Sequence, residues 1–222
     1  VGGVLMRCAQ KLRREILSTA AKMLEAPEEE LFFQQAVIHR KDHPEVALTY
    51  KDVSQWSILN LCREIFARET FETHSNPITT AAHFAHVEVD TWTGLTKVLD
   101  YLALHDVGQA INPAMCVAQT QGAVQMGCGA ALREQYTFSP DGRGVNSLSK
   151  YHLMNAPDLP DIQVELIQDG PSHDGPFGAK SIGEIVINTP APALAQAIFR
   201  ATGTWHRNLP ITPEKVLLGR DE

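Results

Sequence analysis

The sequence predicts an α+β fold. Two observations carry that reading. Apolar residues recur at helical spacing in several segments, and one clear strand–turn–strand unit lies among them. Strands and helices also mix without regular βαβ alternation, which fits α+β, or an irregular α/β arrangement, best. The expectation is mixed sheets with packed helices. It spans residues 1–222 as one domain or two subdomains, about 1–110 and 111–222.

The elements follow in chain order. Val4, Leu5, Cys8, Leu12, Ile16, Ala20 and Met23 recur mostly three and four apart, with Lys and Arg on the other face. They predict a helix from Val4 to about Leu24, ended by Pro27. Phe32 to His39 and Val46 to Tyr50 read as two strands around the polar turn Lys41-Asp42-His43-Pro44. Thr49 or Tyr50 then opens a second helix, with Trp56, Leu59, Leu61, Ile65 and Phe66 as its apolar positions. His83 to Asp90 alternates apolar and polar residues, Gly94 closes a turn that suits φ > 0, and Thr96 to His105 returns as the partner strand.

Asn112-Pro113 is an N-cap followed by Pro at the first helical position. The helix it opens runs to about Gln135 and contains Gly122, Gly127 and Gly129. Each glycine costs about 1 kcal/mol relative to Ala in a helix interior. Three together imply close approach by another backbone or a ligand. A polar, Pro-containing stretch covers 139–160, then Ile162 to Ile167 reads as a strand and Pro190 to Thr202 as a last helix.

Composition bounds the function. The chain has 222 residues, 44% hydrophobic and 20% charged, with a net charge of −7. This is globular composition, not that of a disordered, collagenous or coiled-coil chain. An acidic balance without a basic stripe argues against nucleic acid as the main partner. No apolar run reaches the roughly 20 residues of a membrane helix. The chain starts at Val1, which reads as a fragment or a processed piece. Cys8, Cys62, Cys116 and Cys128 form no CxxC pair, so no iron–sulfur or zinc site is encoded, and isolated cysteines suit a reducing compartment. The nine histidines match no metal-ligand spacing; His83 and His86, on a strand, would face opposite ways.

Three features remain as candidates for chemistry. The segment from Asp174 to Glu184 sets Gly175, Gly178 and Gly183 around Lys180, Ser181 and Glu184. Glycines let backbone N–H groups approach an anion or cofactor closely. A Glu buried in such a loop would rise in pKa toward the range of a general base. By spacing alone, the segment reads first as a surface loop whose Glu offsets a helix dipole. It is not a Walker A loop, because Ala179 separates Gly178 from Lys180. Gln119 with Gly122 is the second feature: a glutamine amide offers both donor and acceptor to a heterocycle edge, or simply a solvated helix residue. The third is Gly2-Gly3, read as preceding the first helix, where its N-terminus would accept a phosphate.

Three stretches, in this order, resemble one family. They are Glu88-Val-Asp-x-x-Thr-Gly94 running on to His105-Asp-Val-Gly-Gln-Ala-Ile-Asn-Pro113; Gln119-x-x-Gly122 with Gly127-x-Gly129; and Gly178-Ala-Lys-Ser-Ile-Gly-Glu184. The closing Leu209-Pro-Ile-Thr-Pro-Glu-Lys-Val216 matches too. The family is the molybdenum-binding large subunit of xanthine dehydrogenase and aldehyde oxidoreductase, the molybdenum hydroxylases, and the match is to its C-terminal portion. The resemblance implies a molybdopterin-binding domain in an oxidoreductase. Such an enzyme hydroxylates a C–H carbon of an aldehyde or N-heterocycle, purine or nicotinate-like, with water-derived oxygen.

Glu184 then looks like the general base. Gln119, Gly122, Ala179, Lys180, Ser181 and Gly183 would border the pterin, and Gly2 and Gly3 the phosphates of a cytosine dinucleotide form. No protein side chain would ligate the metal, since the pterin dithiolene holds it. The rest of the molybdenum subunit would complete the pocket. Partner subunits would carry [2Fe–2S] iron–sulfur centres and FAD, in a cytoplasmic heteromeric complex acting on a small molecule. Departures are Gln121 where the family commonly has Glu, Gln109 where it often has Arg, and Ile185-Val186 where xanthine dehydrogenases often have Pro-Pro. They argue against xanthine itself. The competing readings are a non-catalytic structural or assembly piece, and a nucleotide- or phosphate-binding module built on residues 175–181.

Overall fold

The structure is a computed structural model that describes residues 2–72, 76–170 and 175–219. Asp174, the first residue of the loop segment read above, lies outside the described residues. The chain divides into two compact units, Val1–Thr73 and His74–Glu222. The division falls well before residue 110 because the strands on either side of Gly94 pair with a strand near residue 165 and belong with the second unit.

In the first unit, helix α1 (Gly2–Leu24) is followed by an antiparallel sheet of β1 (Leu31–Gln34), β2 (Val37–Arg40) and β3 (His43–Thr49), then α2 (Tyr50–Leu61). Ala20, Leu31, Ile38 and Val53 form its buried centre, with Ile16, Leu24, Phe33, Leu48 and Ile65 around them. Two expectations are corrected here. The run from Phe32 to His39 is a hairpin, not one strand. Gln34 pairs with Val37 across a two-residue turn in which Gln35 (φ 46°) and Ala36 (φ 65°) are both left-handed. Such a turn ordinarily selects Asn or Gly, so Gln-Ala carried no signal. The second helix also stops at Leu61, because Cys62 adopts φ 49° as a left-handed cap. Ile65 and Phe66 lie beyond it. Its start is as expected: Thr49 and Asp52 cap each other reciprocally.

The second unit centres on a mixed sheet. β4 (Ala81–Val89) pairs antiparallel with β5 (Thr96–Asp106), and β5 pairs parallel with β6 (Ile162–Ile167). Gly94 turns the hairpin at φ 74°, and a Cβ there would lie 2.1 Å from the Pro213 carbonyl oxygen. The crossover from β5 to β6 contains α3 (Pro113–Leu132) and the short α4 (Leu148–Tyr151). After β6 come α5 (Ile185–Asn188), α6 (Pro190–Thr202) and α7 (Pro213–Leu218). Asn112 caps α3 by accepting from the Met115 N–H at 3.2 Å, as its sequence predicts. Val98, Tyr101, Val124, Cys128, Leu194, Ile198 and Ile211 fill the core where α3 and α6 meet the sheet. Among the described residues, no helix is long and apolar enough to cross a membrane.

The buried face of the β4–β5 hairpin carries a polar chain. His83 sits opposite Ala103, so Tyr101 and His105 are its diagonal neighbours on β5. His83 Nδ1 lies 2.9 Å from the Tyr101 hydroxyl and its Nε2 lies 2.7 Å from Nε2 of the fully buried His105. One nitrogen of the Nε2 pair must donate and the other accept, so a further proton would set two N–H groups against each other. Burial first, then the neighbouring His105, lowers the His83 pKa to about 4, and burial lowers that of His105. His86 faces the opposite way and is exposed, on Asp100.

Two stability predictions follow from this packing. A Cβ on Gly127 would lie 2.6 Å from the Pro190 ring, so Gly127→Ala should destabilise the chain by about 1–3 kcal/mol in thermal melts despite its better helix propensity. The depressed His83 pKa contributes stability that is complete above the unfolded value near 6.5 and is lost as pH falls toward about 4. Urea unfolding at pH 7 and pH 4.5 should therefore differ by on the order of 2 kcal/mol more in the wild-type chain than in His83→Asn. Equal pH slopes would contradict the assignment.

Candidate active-site cleft

The segment after β5 and the loop before α5 are bound together by backbone. Lys180 N–H donates to the Val107 carbonyl at 2.9 Å, and Gln109 N–H donates to the Gly178 carbonyl at 2.9 Å, making an antiparallel bridge of Gly108 with Ala179. Gly108 (φ 61°) and Gly178 (φ 80°) are required there: a Cβ on Gly108 would lie 2.4 Å from the Gly178 oxygen. The side chains reinforce the bridge. Lys180 Nζ pairs with Asp106 Oδ2, while Asp106 Oδ1 accepts the Gly108 N–H at 3.1 Å. The Lys180 hydrogen bond first, with help from the Gly108 N–H, holds the Asp106 carboxyl below the usual carboxylate range despite some desolvation.

This geometry changes the reading of the loop glycines. The N–H groups of Gly178, Ala179, Lys180 and Ser181 donate to Gly175 O, Pro176 O, Val107 O and Thr79 Oγ1. Four successive donors are thus used inside the protein, and the loop is not an open nest for a phosphate. The glycines at 175 and 178 serve backbone-to-backbone approach instead.

Glu184 immediately precedes α5, as expected from the sequence. Its side chain makes no capping hydrogen bond. It is exposed on the wall of a cleft of about 690 Å³. The sequence argument invoked a buried Glu, whereas here the side chain is exposed. The opposite wall is α3, where Gln119 and Gly122 line the same cleft with Ala118 and Met126. A Cβ on Gly122 or on Gly183 would meet nothing within 4 Å. The cleft floor holds Glu134 and Tyr151. Glu134 Oε1 accepts the Met154 N–H at 3.1 Å, and its hydrogen bond raises the Tyr151 pKa.

A second, more apolar cleft of about 390 Å³ adjoins the first; Gln119 and Gly183 line both. Its other walls include Val107, Gln109, Asn112, Cys116, Ala179 and Lys180. The three motif stretches therefore converge on one region. Ser181 is exposed beside it, with its N–H on Thr79. Gly2 and Gly3 lie in the first unit, inside the opening turn of α1 rather than before it. Gln121, the departure noted above, donates its amide to the Ile162 carbonyl at 3.0 Å and ties α3 to β6.

Sequence reasoning missed Glu134 and the Asp106–Lys180 pair. Nothing local marks Glu134, and the pair joins residues 74 apart in the chain. Among the described residues, no group of three or more His, Cys, Asp or Glu converges to hold a metal ion.

The family described as a molybdopterin cofactor-binding domain matches residues 1–160, so the loop bearing Glu184 lies beyond the matched span. Among curated relatives, the chain is 32% identical over 221 residues to a probable hypoxanthine oxidase (XdhD) of Escherichia coli strain K12, covering 97% of this chain and 23% of that protein. It is 35% identical over 141 residues to the aldehyde oxidoreductase molybdenum-binding subunit PaoC of the same strain, covering 63% of this chain and 19% of that one. Among solved structures, quinoline 2-oxidoreductase from Pseudomonas putida 86 superposes with a TM-score of 0.71 at 24% identity, over 96% of this chain and 28% of that chain. That likeness shows the fold. The chain spans about a quarter of the length of such relatives.

One consequence of the cleft geometry is a contrast between glycines. Gly122→Ala should leave the fold intact and stabilise it by up to about 1 kcal/mol of helix propensity, read as a slightly higher melting temperature, because its Cβ enters open space. A destabilisation like that of Gly127→Ala would show that the cleft closes in solution.

Proposed function

This chain belongs to the molybdopterin cofactor-binding domain family, and from that membership we propose that it is part of a molybdenum hydroxylase. The reaction we assign is hydroxylation of a C–H carbon of an N-heterocycle or aldehyde with water-derived oxygen. The observation that carries this is the single cleft onto which Gln119 and Gly122 of α3 and Gly183 and Glu184 of the loop converge.

The residues present fit the cofactor. Gly122 and Gly183 leave open space that side chains would fill, and the Gln119 amide can both donate to and accept from a pterin edge. Ala179, Lys180 and Gly183 would flank it as walls of the adjoining cleft, with Ser181 beside them. When bound, the molybdenum pterin supplies Lewis-acid and two-electron redox chemistry. The chain's own part is acid–base and positional. Glu184, exposed at the cleft and engaged in no helix cap, accepts a proton on a carboxylate oxygen as the nucleophilic oxygen is activated. Glu134 already holds the Met154 N–H and the Tyr151 hydroxyl, which suits it to shaping the floor rather than taking the proton.

The cytosine dinucleotide form, the iron–sulfur and flavin partner subunits and a cytoplasmic setting belong to the same proposal. Relatives named as subunits of complexes support the multi-subunit part, such as the gamma subunit of the 6-hydroxypseudooxynicotine dehydrogenase complex of Paenarthrobacter nicotinovorans.

The test is Glu184→Gln in the complex purified through this chain. Turnover should fall by about 10²–10⁴-fold while molybdenum content per copy stays at the wild-type value. Unchanged turnover would remove Glu184 as the base. A properly assembled complex without molybdenum would favour a structural role for the chain.

A further inference from the structure

We propose that Lys180 and Asp106 form a positioning clip that fixes the loop bearing Glu184, and that Lys180 acts through this clip rather than by offering its charge to a ligand. The inference rests on the function proposed above for the same site, and it deepens that reading.

The pair is sheltered. The side chains of Lys180 and Asp106 are 21% and 18% exposed, against 36–86% for either member of the Arg133–Asp158 and Arg143–Asp141 surface pairs. It is also geometrically closed. Asp106 uses one carboxylate oxygen on the ammonium and the other on the Gly108 N–H. The Lys180 stem lies across Gly108, where a Cβ would come within 3.1 Å of Lys180 Cγ. A sheltered ion pair adds little net stability over an apolar pair, yet removing one partner is costly, so its use is to select one arrangement.

The loop needs such selection. Glycines at 175, 178 and 183 give it a wide choice of backbone conformations. Two backbone hydrogen bonds hold it at Gly178 and Lys180, and one holds Ser181 to Thr79. Beyond Ser181 only Ile182 and Gly183 separate this anchored stretch from Glu184. The last charged anchor before Glu184 is therefore Lys180. A displacement of about 1 Å at a catalytic group is enough to lower a rate roughly 10²-fold.

The experiment compares Lys180→Met, Asp106→Asn and the double variant in the holoenzyme complex. Asp106→Asn is isosteric and keeps an acceptor for the Gly108 N–H, so it serves if Lys180→Met fails to assemble. Three results are expected. Amide hydrogen exchange across residues 178–184 should speed up at least 10-fold, with exchange in α6 unchanged. The kcat should fall by about 10–100-fold with KM within about 3-fold and molybdenum content unchanged. The double variant should be no slower than the worse single variant, as a coupled pair requires.

Wild-type exchange in the loop of both single variants would overturn the clip. Faster exchange with unchanged kcat would overturn its positioning role. A large rise in KM or loss of molybdenum from Lys180→Met alone, but not from Asp106→Asn, would make Lys180 a ligand of the bound group instead. If the wild-type complex itself lacks molybdenum and turnover, the hydroxylase reading fails, and the exchange measurement still decides the clip.

Discussion

Two parallel strands cannot be joined by a tight turn; the chain must cross over and return to the starting edge. The parallel pairing of β5 with β6 imposes that demand on the second unit. The crossover supplies α3, and α3 lies against the sheet it has just left. Because β5 and β6 run the same way, their carboxyl ends emerge at one edge. The stretch 107–112 leaves one strand there and the segment leading to the Glu184 loop leaves the other. Ligands in sheets with parallel strands commonly bind outside the carboxyl ends. Here the walls of the smaller cleft come from the stretch 107–112, the start of α3 and the loop before α5, while the larger cleft adds Glu134 and Tyr151 from the crossover.

Glycine content along α3 illustrates how one residue type serves different physical ends. Gly127 lets the α5–α6 junction approach, with the Ile187 oxygen and the Pro190 ring where a side chain would be. Gly129 makes room for the Glu134 carboxylate, which folds back toward the helix and accepts the Met154 N–H. Gly122 borders only open space. The first two are explained by packing inside the chain. The third is not, and it lies in the cleft opposite Glu184. A helix interior glycine with no packing partner is disfavoured by about 1 kcal/mol, a cost that the proposed cofactor would account for.

Much of the fold was legible where the signal was local. The Asn112 cap with Pro113, the turn at Gly94, the strand Ile162–Ile167 and the helix Pro190–Thr202 all follow from residues within a few positions of the feature. What escaped has long-range or atypical causes. The Gln35-Ala36 turn uses residues that carry no turn preference, and its hairpin is held by packing of Leu31 and Ile38 on α1 and α2. The site was legible as three separate stretches. That they share a cleft depends on the parallel pairing and on the Gly108–Ala179 bridge, neither of which has a sequence signature. The charge of Lys180 was visible; its commitment to Asp106 was not.

The carboxylates near the two clefts can be sorted by what already occupies them. Asp106 accepts from an ammonium and a backbone N–H, and both hold it ionised. Glu134 accepts from a backbone N–H and from Tyr151. Glu184 stands at the start of α5 with no capping bond, next to a glycine and across from the open face of Gly122. Under the proposed function it is the carboxylate that would receive a proton from a bound reactant. With no capping bond to anchor it locally, its placement depends on the loop behind it. The Gly108–Ala179 bridge and the sheltered ion pair meet that requirement, fixing the loop a few residues upstream of the proposed base.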